Sequence, residues 1–306
     1  MICSAVFLLA LPYSCHDELD DELFEKAVLL TNNGWIDQEL YLDESGLIDI
    51  PVVVSVNGTS GNNTPVDVAI RLAPDTLSNY NFEKYRNQTE LYYQQPEESV
   101  LAFNDETILI PAGELYGASG LTLDLNKLSD WYADYVIPLE IESTSAYKIA
   151  AAEYSTALVH LVFKNSFSGN YSGEIAVYKT KADGSNDSGN RLTVAVKSLY
   201  ALSDRQCYFY AGQFDRTSVD RDQFIVDLSL SEENELSLSS PNADIDLTME
   251  EGSVEVNTVD HTTDNRYTIV TTTLKLKYTF IDVSSLDQPV LRAEGTISMN
   301  QHVLKE

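Results

Sequence analysis

The sequence predicts an all-β protein, with an antiparallel β-sandwich in its first half and an up-and-down β-barrel in its second half. Two observations support this prediction. Apolar and polar residues alternate through many short segments, which is the period of a half-buried strand. Clusters of turn-forming residues separate these segments at regular spacing, and only one short stretch favours a helix. With 43% hydrophobic residues, the 306-residue chain can form the cores of two domains.

The first half is predicted to contain a hairpin and three further strands. Apolar residues alternate along 50–56 and again along 66–72, on either side of a turn at Asn57 and Gly58. Each segment therefore has one buried face. A short helical turn is predicted at 74–81. Further strands are predicted at 107–110, 120–125 and 134–141, and a fold with so little helix is best built as a sandwich.

The boundary between the two domains is predicted near residues 143–153, where the alternation stops. The first domain is then 26–145 and the second 153–306. Strands of the second domain are predicted at 157–163, 171–179, 191–197, 206–211, 224–230, 274–280 and 291–299. Many short strands at even spacing, without a helix, are typical of an up-and-down barrel.

The first fifteen residues are predicted to be a targeting signal. Residues 1–14 are almost entirely apolar but too few to span a bilayer, which needs about twenty. Ser14 and Cys15 end this run, and an acidic cluster follows at 16–22. A small residue before such a cysteine resembles a bacterial lipobox, and the acidic cluster resembles the export tag of Bacteroidetes lipoproteins. The resemblance implies a signal at 1–15, a lipid on Cys15 and an acidic tether at 16–25, on the exterior face of the outer membrane. The alternative is a disordered tail with an unmodified cysteine.

The net charge of −29 argues against several classes of partner. It repels the phosphates of nucleic acids and anionic lipids, so we expect no nucleic-acid binding and membrane contact through the lipid anchor only. The same charge favours a soluble monomer.

The sequence lacks the motifs of the common enzyme classes. It has no nucleophile elbow, phosphate loop or dinucleotide fingerprint, and its four histidines are not spaced as metal ligands. Adjacent acidic residues point to opposite faces of a strand and do not form a shared carboxylate site. We therefore predict a non-enzymatic protein without a metal or cofactor, in which Cys207 is a small buried apolar residue.

Tyrosine is abundant, with 18 residues against two tryptophans. Aromatic faces stack on sugar rings, and the tyrosine hydroxyl adds a hydrogen bond. Alternation places Tyr208 and Tyr210 on one face of a strand, opposite Cys207. The predicted ligand-binding residues are Tyr208, Tyr210, Trp131 and Tyr132. The alternative is that these rings fill the domain cores.

Several segments resemble known Bacteroidetes domains. In the first half, 53–57, 72–75, 80–81, 110–114 and 135–139 resemble an immunoglobulin-like domain of unknown function. That domain also precedes the catalytic barrel of some endo-β-N-acetylglucosaminidases, whose paired acidic motif is absent here. In the second half, 167–173, 197–200 and 274–280 resemble its usual companion, a lipocalin-like or calycin-like β-barrel.

Three functions are consistent with these observations. The first is a cell-surface lipoprotein that binds an oligosaccharide within a polysaccharide-uptake system, at the open mouth of the barrel. The second is a structural or adhesive surface protein that binds an outer-membrane protein. The third is a hydrolase whose active site is hidden in the barrel.

Overall fold

A computed structural model describes residues 25–42, 45–58 and 61–305. Cys15, the predicted signal and the predicted tether before Glu25 lie outside these residues. The described chain is mostly β-structure, which confirms the predicted sandwich followed by an antiparallel barrel. No helix within the described residues is long and apolar enough to cross a membrane.

The first domain is a sandwich of two five-stranded sheets. Its strands are β1 (Ala27–Leu30), β2 (Gly34–Tyr41), β3 (Leu47–Asn57), β4 (Val66–Leu72), β5 (Leu101–Phe103), β6 (Ile108–Ile110), β7 (Tyr116–Asp124), β8 (Val136–Thr144), β9 (Lys148–Ile149) and β10 (Thr156–Lys164). One sheet has the order β5-β7-β3-β1-β9 and the other has the order β2-β10-β8-β4-β6. The alternating valines of β3 and β4, including Val54 and Val66, point into the core between the sheets.

The first strand after the predicted domain boundary lies in the sandwich. β10 was expected in the second domain, but it pairs antiparallel with β8 and parallel with β2 inside the sandwich. It is a central strand, and five consecutive residues from Ala157 to Leu161 are buried. The chain therefore leaves the first domain only after Lys164. β10–β2 and the short β1–β9 pair also make the sandwich mixed rather than purely antiparallel.

The predicted helical turn is a longer helix that covers one face of the sandwich. Helix α1 (Pro74–Tyr85) starts with a proline in its first turn, where the missing N–H costs no hydrogen bond. It buries Leu77 against Val136 and Leu158 of the second sheet. The Asn81 side chain exchanges two hydrogen bonds with the backbone of Tyr93, at 2.8 and 3.0 Å. These bonds fix the loop after α1 beside the sheet.

The second domain follows a single-turn helix, α2 (Ala152–Ser155), and strand β10. Its strands are β11 (Gly169–Thr180), β12 (Asn186–Ala201), β13 (Gln206–Tyr210), β14 (Ile225–Leu230), β15 (Leu236–Ser239), β16 (Thr248–Asp260), β17 (Tyr267–Ile281) and β18 (Val290–Leu304). The sheet order β15-β14-β13-β12-β11-β18-β17-β16 is that of an up-and-down barrel. The barrel is nearly closed, and at the seam Leu236 of β15 packs closely over Gly252 of β16.

Side chains fill the inside of the barrel. Tyr171, Phe209, Tyr278 and Phe280 are fully buried there, in the space where some eight-stranded barrels hold a small ligand. Cys207 is also fully buried, as predicted, and burial raises the pKa of its thiol to about 12. A ligand site therefore has to be sought outside the barrel interior.

Candidate binding site at the domain junction

A buried ion cluster joins the two domains. Asp134, just before β8 of the first domain, is only 4% exposed. One of its carboxylate oxygens contacts Arg216 Nη2, and the other lies 3.2 Å from Arg221 Nη1. Arg221 is itself buried and also donates to the Arg216 carbonyl at 2.5 Å. Because an unpaired buried charge is costly, this cluster holds the two domains in one relative position.

A layer of tyrosines lies beside the ion cluster. Arg216 stacks over the ring of Tyr200, with 4.3 Å between the guanidinium carbon and the ring centre. Tyr208 packs edge-on against Tyr132 of the first domain, at 5.3 Å between ring centres. The Tyr132 hydroxyl donates to both oxygens of Asp227, at 3.0 and 3.1 Å. Tyr208 and Asp227 of the second domain therefore hold the ring of Tyr132 of the first domain in one orientation.

The predicted roles of Tyr208 and Tyr210 need correction. Both lie on the same strand face, as alternation predicts, but they are only 3% and 2% exposed. A ligand-binding role requires an accessible face, but Tyr132 of the first domain covers Tyr208. Tyr208 packs against Tyr132, and Tyr210 packs edge-on against Tyr208. Because both rings are buried, neither offers a surface for sugar.

Burial changes the titration of this layer. It raises the pKa of Tyr208 well above the usual value and that of Tyr210 to about 12. Burial and the neighbouring Asp227 charge raise the pKa of Tyr132 to about 12. The pKa of Asp227 is also raised by burial, although the hydrogen bond from Tyr132 opposes this. The junction is thus most stable while its phenols are neutral.

A cleft of about 540 Å³ opens at one side of the junction. The loop after α1, the segment before β8 and two barrel loops form its walls. Its lining residues are Thr89, Glu90, Tyr92, Gln94, Asp130, Tyr132, Ala133, Asp134, Arg221, Asp222, Ile225, Pro241 and Asn242. The cleft combines two half-buried aromatic rings with a larger number of polar side chains, which could fix the orientation of a bound ligand.

The charges in the cleft are predominantly negative. Glu90, Asp130, Asp134 and Asp222 line it, against the single cation Arg221. Burial raises the pKa of Asp222, although the Arg221 charge opposes this. Such a lining favours an uncharged ligand that can donate hydrogen bonds, and it disfavours anions.

The loop that carries Tyr92 has unusual backbone geometry. Arg86, directly after α1, has φ 56° and ψ −115°, which is strained for a residue with a side chain. The Tyr92 hydroxyl donates to the Arg86 carbonyl at 2.5 Å. Gln94 exchanges backbone hydrogen bonds with Asp134 and Val136, at 2.8 and 2.9 Å. These hydrogen bonds fix both ends of the loop, so its side chains that line the cleft are preorganised.

The other predicted site residues lie on different sides of the junction. Tyr132 lines the cleft, whereas Trp131 packs on Phe163 at 5.5 Å and lines a separate depression with Leu42 and Asp204. Of the remaining cleft residues, only Tyr92 belongs to an aromatic cluster visible in the sequence. The sequence around Asp222 and Asn242 does not indicate a binding site, because these residues approach Tyr92 only when both domains are folded and docked.

The histidines and acidic residues do not assemble a metal site in the described part of the chain. His261 and His302 come together there, with 5.1 Å between ring centres. Within residues 25–42, 45–58 and 61–305, however, no group of three or more His, Cys, Asp or Glu side chains is placed to hold a metal ion.

Comparison with protein families divides the chain in two. Residues 25–145 match the family described as a domain of unknown function, DUF4973. Residues 155–298 match the model of a separate C-terminal domain. The second match starts one residue before β10, although this strand belongs to the sandwich in space. No protein with a curated description matches the chain in sequence.

Several solved structures share the whole fold. A protein of unknown function from Bacteroides ovatus has a TM-score of 0.79 at 21% identity, covering 92% of this chain and 96% of its own. A multidomain protein including DUF1735, also from B. ovatus, has a TM-score of 0.78 at 21% identity, covering 90% and 95%. An auxiliary nutrient binding protein from Bacteroides thetaiotaomicron has a TM-score of 0.74 at 20% identity, covering 88% and 92%. At these identities the likeness shows the fold alone.

Removal of the central carboxylate should weaken the junction. Asp134→Ala leaves Arg221 buried without its partner, so the free energy of unfolding should fall by about 3–5 kcal/mol. Urea unfolding followed by circular dichroism measures this. Glu140→Ala, which breaks a more exposed ion pair with Arg71, is the control and should cost less than about 1 kcal/mol. Equal losses in the two variants would contradict the role given to the cluster.

The tyrosine layer should make the protein sensitive to alkali. Tyr210 is neutral in both states below about pH 10, where a free phenol titrates. Above that pH only the unfolded chain ionises, so stability is lost as the pH rises through the folded pKa of about 12. Urea unfolding at about pH 9 and about pH 11 should show a smaller loss in Tyr210→Phe than in the wild type, by about 1.4 kcal/mol, because pH 11 is about one unit above the pKa of a free phenol. The same loss in both proteins would exclude Tyr210 as a source of alkaline instability.

Proposed function

We propose that this protein binds an uncharged glycan in the cleft between its two domains, without catalysing a reaction on it. The observation that carries the proposal is the lining of the cleft. The rings of Tyr92 and Tyr132 lie with Gln94, Asn242 and Asp222 in a space of about 540 Å³.

The side chains of the cleft match the chemistry of a sugar. A pyranose ring has apolar faces that stack on aromatic rings and an edge of hydroxyl groups that need hydrogen-bond partners. Carboxylates accept hydrogen bonds from hydroxyl groups, while the amides of Gln94 and Asn242 both donate and accept. The excess of carboxylates disfavours sulfated, phosphorylated or uronic sugars.

The fold neighbours support a role in nutrient capture. The nutrient binding protein from B. thetaiotaomicron shares both domains and their arrangement. By extension we propose that this chain serves as an accessory binding protein beside a polysaccharide transporter. The N-terminal sequence resembles that of exported lipoproteins, which is consistent with a location beside such a transporter.

A second candidate function is adhesion to another surface protein. Leu109, Leu115 and Tyr116 of the sandwich are exposed apolar residues, and Tyr116 is 59% exposed. Exposed apolar surface often marks protein contacts. None of the three lines the cleft, so variants can separate the two functions.

Calorimetric titration with neutral and acidic glycans tests the proposal. The panel contains the mono- and hexasaccharides of glucose, mannose, galactose and xylose, with uronic acid and sulfated counterparts. We expect at least one neutral sugar to bind and its acidic counterparts not to bind. Tyr92→Ala should raise the Kd of that sugar by about tenfold or more, which corresponds to about 1.4 kcal/mol.

The control for this experiment is Tyr116→Ala, which removes an exposed ring outside the cleft. It should leave the Kd unchanged. Absence of binding to every sugar in the panel, or an equal effect of the two substitutions, would reject the cleft as a glycan site.

We further propose that Cys15 carries the lipid that anchors the protein to the exterior face of the outer membrane. Cys15→Ala should then move the protein from the membrane fraction to the soluble fraction. Cys3→Ala, a cysteine substitution within the predicted signal, is the matched control and should leave the protein in the membrane. Fatty-acid labelling that persists in Cys15→Ala would contradict the assignment.

A further inference from the structure

A row of aromatic rings leads away from the cleft across the first domain. Tyr92, in the cleft wall, lies 6.4 Å from Tyr85 between ring centres. Tyr85 lies 5.7 Å from Tyr93, and Tyr93 lies 4.9 Å from Trp35. Trp35 then stacks on Tyr80, at 4.9 Å and an angle of 18°. All five rings are half-buried, so each keeps part of its surface in contact with solvent.

Two charged side chains accompany this aromatic row. The Lys84 ammonium donates to the Tyr93 hydroxyl at 2.9 Å and lies 4.8–5.5 Å from four ring centres. Asp37 accepts from the Trp35 indole at 2.9 Å and contacts His160 Nδ1 at 2.7 Å, yet its side chain is 63% exposed. The row therefore holds one cation, Lys84, and one carboxylate, Asp37, at the surface of the protein. The charges of these two groups cancel.

Packing of α1 accounts for only part of the row. The apolar cluster under the helix contains Leu77, Val136 and Leu158, with Trp35, Tyr80 and Tyr93 packed on it. Tyr85 lies outside that cluster, at the end of the helix. It nevertheless connects Tyr92 of the cleft to Tyr93 and the rest of the row.

We propose that the glycan bound in the cleft is an oligosaccharide, and that it continues out of the cleft over Tyr92 and Tyr85 toward Lys84 and Asp37. This inference rests on the proposed function and specifies the length and direction of the ligand. Successive aromatic faces bind successive sugar rings, and the two charged groups supply a donor and an acceptor for hydroxyl groups. The absence of net charge along the row agrees with an uncharged chain.

The test compares short and long forms of one sugar. The monosaccharide and the hexasaccharide of whichever neutral series binds in the panel are titrated into the wild type and into Tyr85→Ala. The wild type should bind the hexasaccharide at least about tenfold more tightly than the monosaccharide. Tyr85→Ala should lose most of this gain in affinity for the hexasaccharide. The Kd of this variant for the monosaccharide should stay within about twofold of the wild-type Kd.

Two further variants complete the experiment. Phe82→Ala removes a ring of the same helix that is 53% exposed and lies outside the row, so it should retain the full gain from chain length. Lys84→Gln keeps the aromatic rings intact and should reduce the gain, even if Tyr85→Ala proves less stable in a thermal melt.

Each outcome has a distinct meaning. A wild type that binds both lengths equally, or a gain that survives in Tyr85→Ala and Lys84→Gln, would overturn the extended path and leave the cleft proposal standing. No binding of either length would overturn both.

Discussion

The position of the two domains depends on one buried carboxylate. Asp134 of the sandwich pairs with both Arg216 and Arg221 of the barrel, and Asp222 lies 3.6 Å from Arg221 on its other side. The buried Arg221 could not remain charged and unpaired at low cost. Such a cluster contributes little net stability compared with apolar packing, since all its charges must be desolvated. Its effect is on geometry, because both arginines come from the barrel and reach the carboxylate only when the two domains are docked as observed.

The same cluster determines the shape of the cleft. Asp134 follows Tyr132 by two residues and Arg221 directly precedes Asp222, so pairing of the charges also brings the two walls together. The tyrosine layer then fixes the ring of Tyr132 through Tyr208 and Asp227. A site built in this way exists before its ligand arrives, which lowers the entropic cost of binding.

The sequence predicted most of the long strands because strand alternation is a local property, but it missed β2 and β16. It also placed Tyr208 and Tyr210 on one face and Cys207 on the other, as the structure has them. It could not show that the tyrosine face is covered, because the covering residue, Tyr132, is 76 residues away. The place of β10 in the sandwich could not be read from the sequence for a similar reason. β10 pairs with β2, more than a hundred residues earlier, and such a parallel contact leaves no local pattern.

The acidity of the protein is consistent with an uncharged ligand. A net charge of −29 gives no electrostatic attraction for a neutral sugar, so affinity has to come from stacking and hydrogen bonds at short range. In the function proposed above, the charge acts against competing ligands. Phosphorylated and sulfated molecules, which also offer hydroxyl groups, carry the same sign of charge as the protein and as the carboxylates of the cleft. The proposed specificity therefore rests on exclusion of anionic ligands as well as on direct contacts with a neutral sugar.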